Sequence, residues 1–402
     1  MNKTHSFKNF ALILIGIGLL KNFFFIIPTI NKPAPFGRLT IDSISYIDGA
    51  RSIIKEKNIL NLKDIYHSPG FQIFLAGLLF IFGYKIAMVK IFFCTLTLLT
   101  TILIIYIGEK YIRSGVGYLA GIFSAFSLSF TFYSATMQYD ILITLLILFA
   151  SFLIIKNLLV GNKMIFFMIG IIFSCICLIS IRFIILTPLV LCYFIINLKY
   201  DKKILLAIIL FLIGTFLIIA PWAIYQSLRN KKIVFVQSSY VPSRFKMYNN
   251  PNSEGRNFPC PTTIEPSGFN FIIKQPARFL WLTKERFLYF WNLRCDIWKI
   301  SLPYESIQRG TLSYYLIRIL DKLISAVYLL IFISGALLLF IERNKVKLSF
   351  NQASLFYFLI IGVMVGPLVI CASPRFCIPI LPYIYIFQAY FIIRCFELVR
   401  HV

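Results

Sequence analysis

A chain of 402 residues that is 59% hydrophobic, 17% aromatic and 14% charged is not an ordinary soluble protein, for which about half apolar is typical. Its length leaves room for roughly ten membrane spans of about 20 residues each, with one sizeable piece outside the bilayer. The net charge of +25, from 40 basic and 15 acidic residues, has two candidate sources: the ordinary cytoplasmic excess of Lys and Arg, or a basic surface that binds something. Topology must separate them. Nine cysteines lie mostly in apolar segments, and no C-x-x-C spacing is present, which removes the common zinc and dithiol motifs.

Lys3 and Lys8 precede an apolar run from Phe10 to Ile30 without a following small-residue cleavage site, so the run reads as a retained first helix. D-S-I-S-Y-I-D-G-A-R then begins at Asp42. Ile44, Ile47, Ala50 and Ile54 recur at near-helical spacing, which predicts an interfacial helix over 43–55 with Asp42 at its start. The next apolar block, 70–83, has about 14 residues and falls in the interfacial or re-entrant range rather than the spanning one. Blocks at 87–108, 116–133, 140–156, 164–181, 183–197, 204–222, 323–341, 351–371 and 376–393 follow.

Laying the 70–83 block on the membrane puts the loops with Lys110 and Arg113, Lys156 and Lys163, Lys199 to Lys203, and Arg343 to Lys347 on the N-terminal side. The tail with Arg394 and Arg400 joins them, which is the positive-inside pattern. The expected architecture is thus an α-helical polytopic membrane protein with about ten spans plus interfacial helices. It divides into a transmembrane module at 1–222 containing the first outer loop (31–86), a small outer-face segment of mixed structure at 223–321, and C-terminal spans at 322–402.

This topology carries five features to the outer face: the Asp42 loop, Asp140 at the mouth of the fourth span, Arg182, the 223–321 segment and the Ser373-Pro374-Arg375 turn. Arg182 alone interrupts a run of about 35 apolar residues from Met164 to Leu198. A charge at the bilayer midplane costs at least about 2.5–3.5 kcal/mol, so two minimal helices with Arg182 at their outer turn fit the length. From Ala223 to Arg309, 13 Lys or Arg stand against five acids. Long loops escape the positive-inside bias, which leaves either a solvated cationic surface or a site for anionic lipid phosphate. Asn249, Asn250, Pro251, Asn252, Pro259, Pro261 and Pro266 predict turns with few long elements. Cys260 and Cys295 share this segment and are candidates for pairing in an oxidising compartment.

Transfer of a sugar to a hydroxyl needs a base near the acceptor and a cation at the departing phosphate, roles that suit carboxylates and Arg or Lys respectively. Asp42 and Asp140 have plainer uses too, as a helix N-cap and as an acid favoured by the helix dipole. Arg182 and Arg375 suit bidentate phosphate binding and equally suit interface anchoring. His67, beside Pro69 and Gly70, fits a turn better than catalysis. Tyr46, Tyr66, Tyr240 and Tyr248 offer rings for sugar stacking or for an interfacial belt.

Taken together, D-S-I-S-Y with H-S-P-G-F, Q-Y-D-I-L, S-I-R-F-I-I-L-T-P, A-P-W-A-I-Y-Q-S-L-R-N-K-K-I-V-F-V-Q-S-S and S-P-R-F-C-I-P-I-L-P resemble, in order and spacing, the GT-C superfamily. The likeness is to bacterial family 39-type members related to protein mannosyltransferases and the aminoarabinose lipid A transferase. It implies an inverting glycosyltransferase in which Asp42 is the catalytic base or an acceptor-orienting acid and Asp140 a second outer-loop acid, with Arg182 near the lipid phosphate. Asn249 to Gly255 matches a loop of the soluble part, and Arg375 a late Arg-aromatic motif. Two departures stand out: the acid pair of the first loop is Asp42-Ser43 here, and His67-Ser68-Pro69 replaces the Lys-Pro-Pro of the aminoarabinose enzymes.

The expectation is therefore a multi-pass plasma-membrane (inner-membrane) glycosyltransferase, its site on the outer face, with Asp42 and Asp140 catalytic and Tyr46, His67, Arg182, Tyr240, Asn249 and Arg375 binding substrate. The donor is a polyprenyl-phosphate-linked sugar, the acceptor a lipid, glycan or protein, and membrane lipids surround the chain; no nucleic acid is expected. No cofactor is required, and a divalent cation stays open. Rival readings are a glycan polymerase or ligase, a lipid-linked sugar transporter or flippase, and a non-catalytic scaffold. Against transport, no internal repeat is visible, and Lys21 and Lys90 lie near the ends of their apolar runs.

Overall fold

The computed structural model describes residues 3–26, 41–57, 68–160, 162–197, 202–231, 233–234, 236, 245–254, 265–291, 312–343, 346–348 and 350–400. Its helices are α1 (Lys3–Ile26), α2 (Ile41–Glu56), α3 (Pro69–Ile81), α4 (Ile86–Ile107), α5 (Val116–Ala125), α6 (Leu128–Ala135), α7 (Tyr139–Val160), α8 (Lys163–Ile179), α9 (Leu186–Asn197), α10 (Lys202–Asn230), α11 (Phe269–Lys274), α12 (Pro276–Phe290), α13 (Leu312–Ile341), α14 (Phe350–Val369) and α15 (Leu381–Arg400). Two 3₁₀ turns, Ile181–Ile185 and Pro374–Ile380, lead into α9 and α15.

Among the described residues six helical stretches are long and apolar enough to cross a bilayer: 86–112, 139–157, 205–230, 323–341, 352–369 and 375–400. α5 and α6 make a seventh if counted as one span bent by 48°. By length and composition the ten expected spans are not all seen among the described residues: α8 and the 181–197 stretch are each shorter, and α3, the 70–83 block expected to be interfacial, is short as well. The mixed character expected for 223–321 is not seen in its described parts, which hold helices and turns and no strand. α10 runs past Pro221 to Asn230. α12 starts with Pro276 in its first turn, where a missing N–H costs nothing, and buries Leu282, Arg286 and Phe290 at four-residue spacing.

Hydroxyls and small residues join the helices, as expected where lipid gives no hydrophobic drive between them. On α4, Thr97 and Thr101 back-bond to carbonyls one turn earlier and reach Ser134 (2.7 Å) and Ser124 (2.8 Å) on α6 and α5. Gly170 and Gly214 let α8 and α10 touch backbone to backbone: a Cβ on Gly170 would sit 2.1 Å from the Phe211 carbonyl oxygen. The bend between α5 and α6 falls at Ser127, which accepts from Phe130 N and from the Tyr385 hydroxyl (2.8 Å). At the opposite end of the bundle from Asp42, Arg394 pairs with Glu342 (2.6 Å) and Arg113 with Glu397 (2.9 Å), tying the residues just after α4 and α13 to α15.

Candidate functional site

Four separate stretches converge at one end of the bundle. Asp42 lies in the first turn of α2. Asp140 lies in the first turn of α7. Arg182 sits in the 3₁₀ turn after α8, where Ser180 in extended conformation breaks the helix. Arg375 sits in the turn that opens the last helix.

Arg375 organises the cluster. One terminal nitrogen donates to Asp42 Oδ2 at 2.6 Å and to Gln138 Oε1 at 3.3 Å, and the other to the Tyr139 hydroxyl at 3.5 Å. The Tyr139 hydroxyl also accepts from Arg182 at 3.1 Å, so it bridges the two guanidinium groups. Arg182 stacks on the Phe376 ring with 4.1 Å between guanidinium carbon and centroid, a contact that fixes a planar cation better than an ammonium. Beneath the charges, Tyr46, Phe71 and Tyr139 pack edge-on with centroids 4.9–5.9 Å apart. Burial, with Tyr139 beside it, raises the Tyr46 phenol well above its usual range, so it stays protonated at neutral pH.

Local sequence explains the placement. Ser43 donates to the Thr136 carbonyl, pinning the start of α2 to the end of α6. Met137, 1% exposed, holds φ at +50°, a left-handed backbone unusual for a bulky residue and typical of turns under functional constraint. That turn aims Gln138, Tyr139 and Asp140. In H-S-P-G-F, Ser68 Oγ accepts from Ile181 N, Pro69 opens α3, and a Cβ on Gly70 would lie 2.6 Å from the backbone of Leu178. These contacts seat the end of the first loop against the Arg182 turn.

Asp140 is 1% exposed and within electrostatic reach of Arg375, Arg182 and Asp42. Its Oδ2 has no hydrogen-bond partner among the described residues, and neither has Arg375 Nε. Buried polar atoms without a partner are uncommon in native proteins. Among the described residues no three His, Cys, Asp or Glu side chains gather as a metal site.

Of the residues expected from sequence, Asp42, Asp140, Arg182 and Arg375 meet here, with Tyr46 in the wall below. Asn249 does not join them: it is fully buried, donates to the Phe245 and Val369 carbonyls and accepts from Arg286. His67, Tyr240, Cys260 and Cys295 lie outside the described residues. Gln138, Tyr139 and Phe376 were not expected as site residues from sequence, although Q-Y-D-I-L and S-P-R-F contain all three.

No known protein family matches the chain, and no curated protein is similar to it in sequence. Among solved structures, its fold is similar to that of the archaeal oligosaccharyltransferase AglB from Archaeoglobus fulgidus in complex with an inhibitory peptide and a dolichol-phosphate. The TM-score is 0.53 at 12% identity, over 96% of this chain and 50% of that one, so this chain spans about half of AglB's length. At that identity the likeness concerns the fold alone: the described residues of this chain form helices and turns, with six helical stretches long and apolar enough to cross a bilayer.

Proposed function

We propose that the chain is a membrane glycosyltransferase of the family 39-like branch, working at the outer face of the plasma membrane. It moves a sugar from a polyprenyl-phosphate carrier to a lipid, glycan or protein hydroxyl. The observation that carries this reading is the meeting of two carboxylates and two guanidiniums from four distant stretches around the Arg375–Asp42 pair. The GT-C likeness and AglB's bound dolichol-phosphate support the same chemistry.

In this reading Arg375 and Arg182 hold the donor phosphate, whose oxygens compete with Asp42 for Arg375. The carboxylate released from that pair takes the proton of the acceptor hydroxyl. The acceptor oxygen bonds to the anomeric carbon as the carbon–oxygen bond to phosphate breaks, and the electron pair leaves on the phosphate, stabilised by the guanidiniums. Attack opposite the leaving group inverts the anomeric centre. Asp140 balances the two cations from below.

The experiment is transfer of radiolabelled sugar from a panel of polyprenyl-phosphate monosaccharides by the purified protein in vesicles, with Asp42→Asn as control. Label lost from one donor with Asp42 intact, and retained with the variant, is the expected result. Silence across a panel that serves a known transferase would overturn the reading in favour of a polymerase or transporter.

A further inference from the structure

Among the described residues Arg286 is the largest fully buried side chain, 1% exposed. Among the described residues its hydrogen bonds go to neutral oxygens: Asn249 Oδ1 (3.1 Å), the Leu368 and Val369 carbonyls (3.1 and 3.0 Å) and the Tyr248 carbonyl (2.7 Å). Burying a cation on dipoles alone is costly, and burial lowers its pKa to about 10, still charged at neutral pH. The partners explain its place. Leu368 and Val369 end α14, and the last carbonyls of a helix lack intrahelical donors and carry its negative dipole end. Asn249 Nδ2 donates to the same Val369 carbonyl (3.1 Å), while its backbone carbonyl accepts from Gly268 N (2.8 Å). The outer segment therefore caps α14 with a cation and an amide. Six residues further on stands Arg375, reached through buried Cys371 and Ala372 and a turn closed by Phe376 N on the Ser373 carbonyl (3.0 Å).

We propose that Arg286 and Asn249 form a positioning device: by capping α14 they fix the 370–375 turn, and so hold Arg375 where it meets Asp42. Resting on the transferase reading, this gives the 223–321 segment a share in the reaction beyond surface charge, and gives Asn249 a place behind the site instead of within it. A lysine has three donors on one nitrogen and no planar fork, so Arg286→Lys keeps the charge and restores only part of the cap.

The test uses the full-length protein in nanodiscs. Cys371 and Cys377 flank Arg375, whereas Cys94 and Cys177 are equally buried on α4 and α8. N-ethylmaleimide labelling, read cysteine by cysteine by mass spectrometry, is expected to speed up about tenfold at Cys371 and Cys377 in Arg286→Met and Asn249→Ala, as local opening there becomes easier. Cys94 and Cys177 keep their rates, and Arg286→Lys falls between. Unchanged labelling at Cys371 and Cys377, or an equal rise at all four thiols, would overturn the proposal. Where a donor supports transfer, Arg286→Met should lower kcat by up to about a hundredfold with little change in donor KM, the pattern of a displaced catalytic group. A pure KM effect would count against it. If no donor is used by the intact protein, the transferase reading fails while the labelling still decides the cap.

Discussion

Arg375 and Asp42 stand 333 positions apart in the chain, yet the guanidinium donates to the carboxylate at 2.6 Å. Their exposures differ: the Arg375 side chain is 15% accessible and that of Asp42 36%. The cation is the inner, fixed member, held also by Gln138 and Tyr139, and the carboxylate the outer one, open to exchange partners. In the proposed reaction an anion arriving at Arg375 would compete directly with Asp42, coupling donor binding to release of the base.

That coupling predicts non-additivity. Asp42→Asn and Arg375→Ala should each lower transfer by about a hundredfold or more, in the range of a lost general base or a lost electrostatic contact. The double variant should be little worse than the poorer single, because groups acting as a unit do not sum. Initial rates with one donor in vesicles measure the cycle, and losses that multiply would mean the two residues work separately.

Arg182 should act on donor affinity. It stacks on Phe376 at 4.1 Å and donates to Tyr139 at 3.1 Å, which holds the guanidinium beside Arg375, where the proposed phosphate would bind. Arg182→Ala is expected to weaken donor binding by about tenfold, the size of one charge-assisted hydrogen bond at about 1.5 kcal/mol. Arg182→Lys should recover only part, since an ammonium neither stacks as a plane nor binds in a fork. Equilibrium binding of a polyprenyl phosphate distinguishes these outcomes, and full rescue by Lys would leave only the charge in play.

Much of this site was legible in the sequence because charge is rare in apolar runs: Asp42, Asp140, Arg182 and Arg375 each stand out at a helix boundary, and the structure gathers all four. Tyr139 and Gln138 were hidden by proximity, since a tyrosine and a glutamine beside an acid look like an ordinary helix start. Arg286 was hidden differently. In a segment rich in Lys and Arg nothing local separates a buried capping guanidinium from a solvated one, and its partners are backbone carbonyls 82 and 83 positions away. The helices followed hydropathy well, but their number did not: Ser127 bends one apolar run and Ser180 ends another early, which a count of apolar blocks cannot weigh.

Asp140 separates a structural from a chemical acid. Were it only a charge at a helix start, Asp140→Asn would cost about 0.3–1 kcal/mol of stability and leave transfer intact. Its 1% exposure, its unpartnered Oδ2 and the nearby guanidiniums give the opposite expectation. Transfer should fall at least about tenfold, because the charge balance that holds both arginines is changed, while the Tm in nanodiscs moves by only a few degrees. Unchanged transfer would remove Asp140 from the site.

The contact of α8 with α10 sets the position of the Arg182 turn, since that turn follows α8 directly. A Cβ on Gly214 would fall 2.3 Å from the Phe167 carbonyl oxygen, and one on Gly170 2.1 Å from that of Phe211; backbone atoms, unlike side-chain ends, cannot swing aside. Ser174 adds a bond to the Thr215 carbonyl at 2.6 Å across the same contact. Gly214→Val must therefore push the helices apart, with an overpacking cost of about 1–3 kcal/mol, and should lower the Tm clearly. A milder Ser174→Ala, which removes one interhelical bond worth about 0.6 kcal/mol in membrane bundles, should lower it only slightly. Both variants should weaken donor binding less than Arg182→Ala does, because they displace the turn without deleting its charge. A Gly214→Val protein with undiminished Tm would show that the two helices do not meet at Gly214.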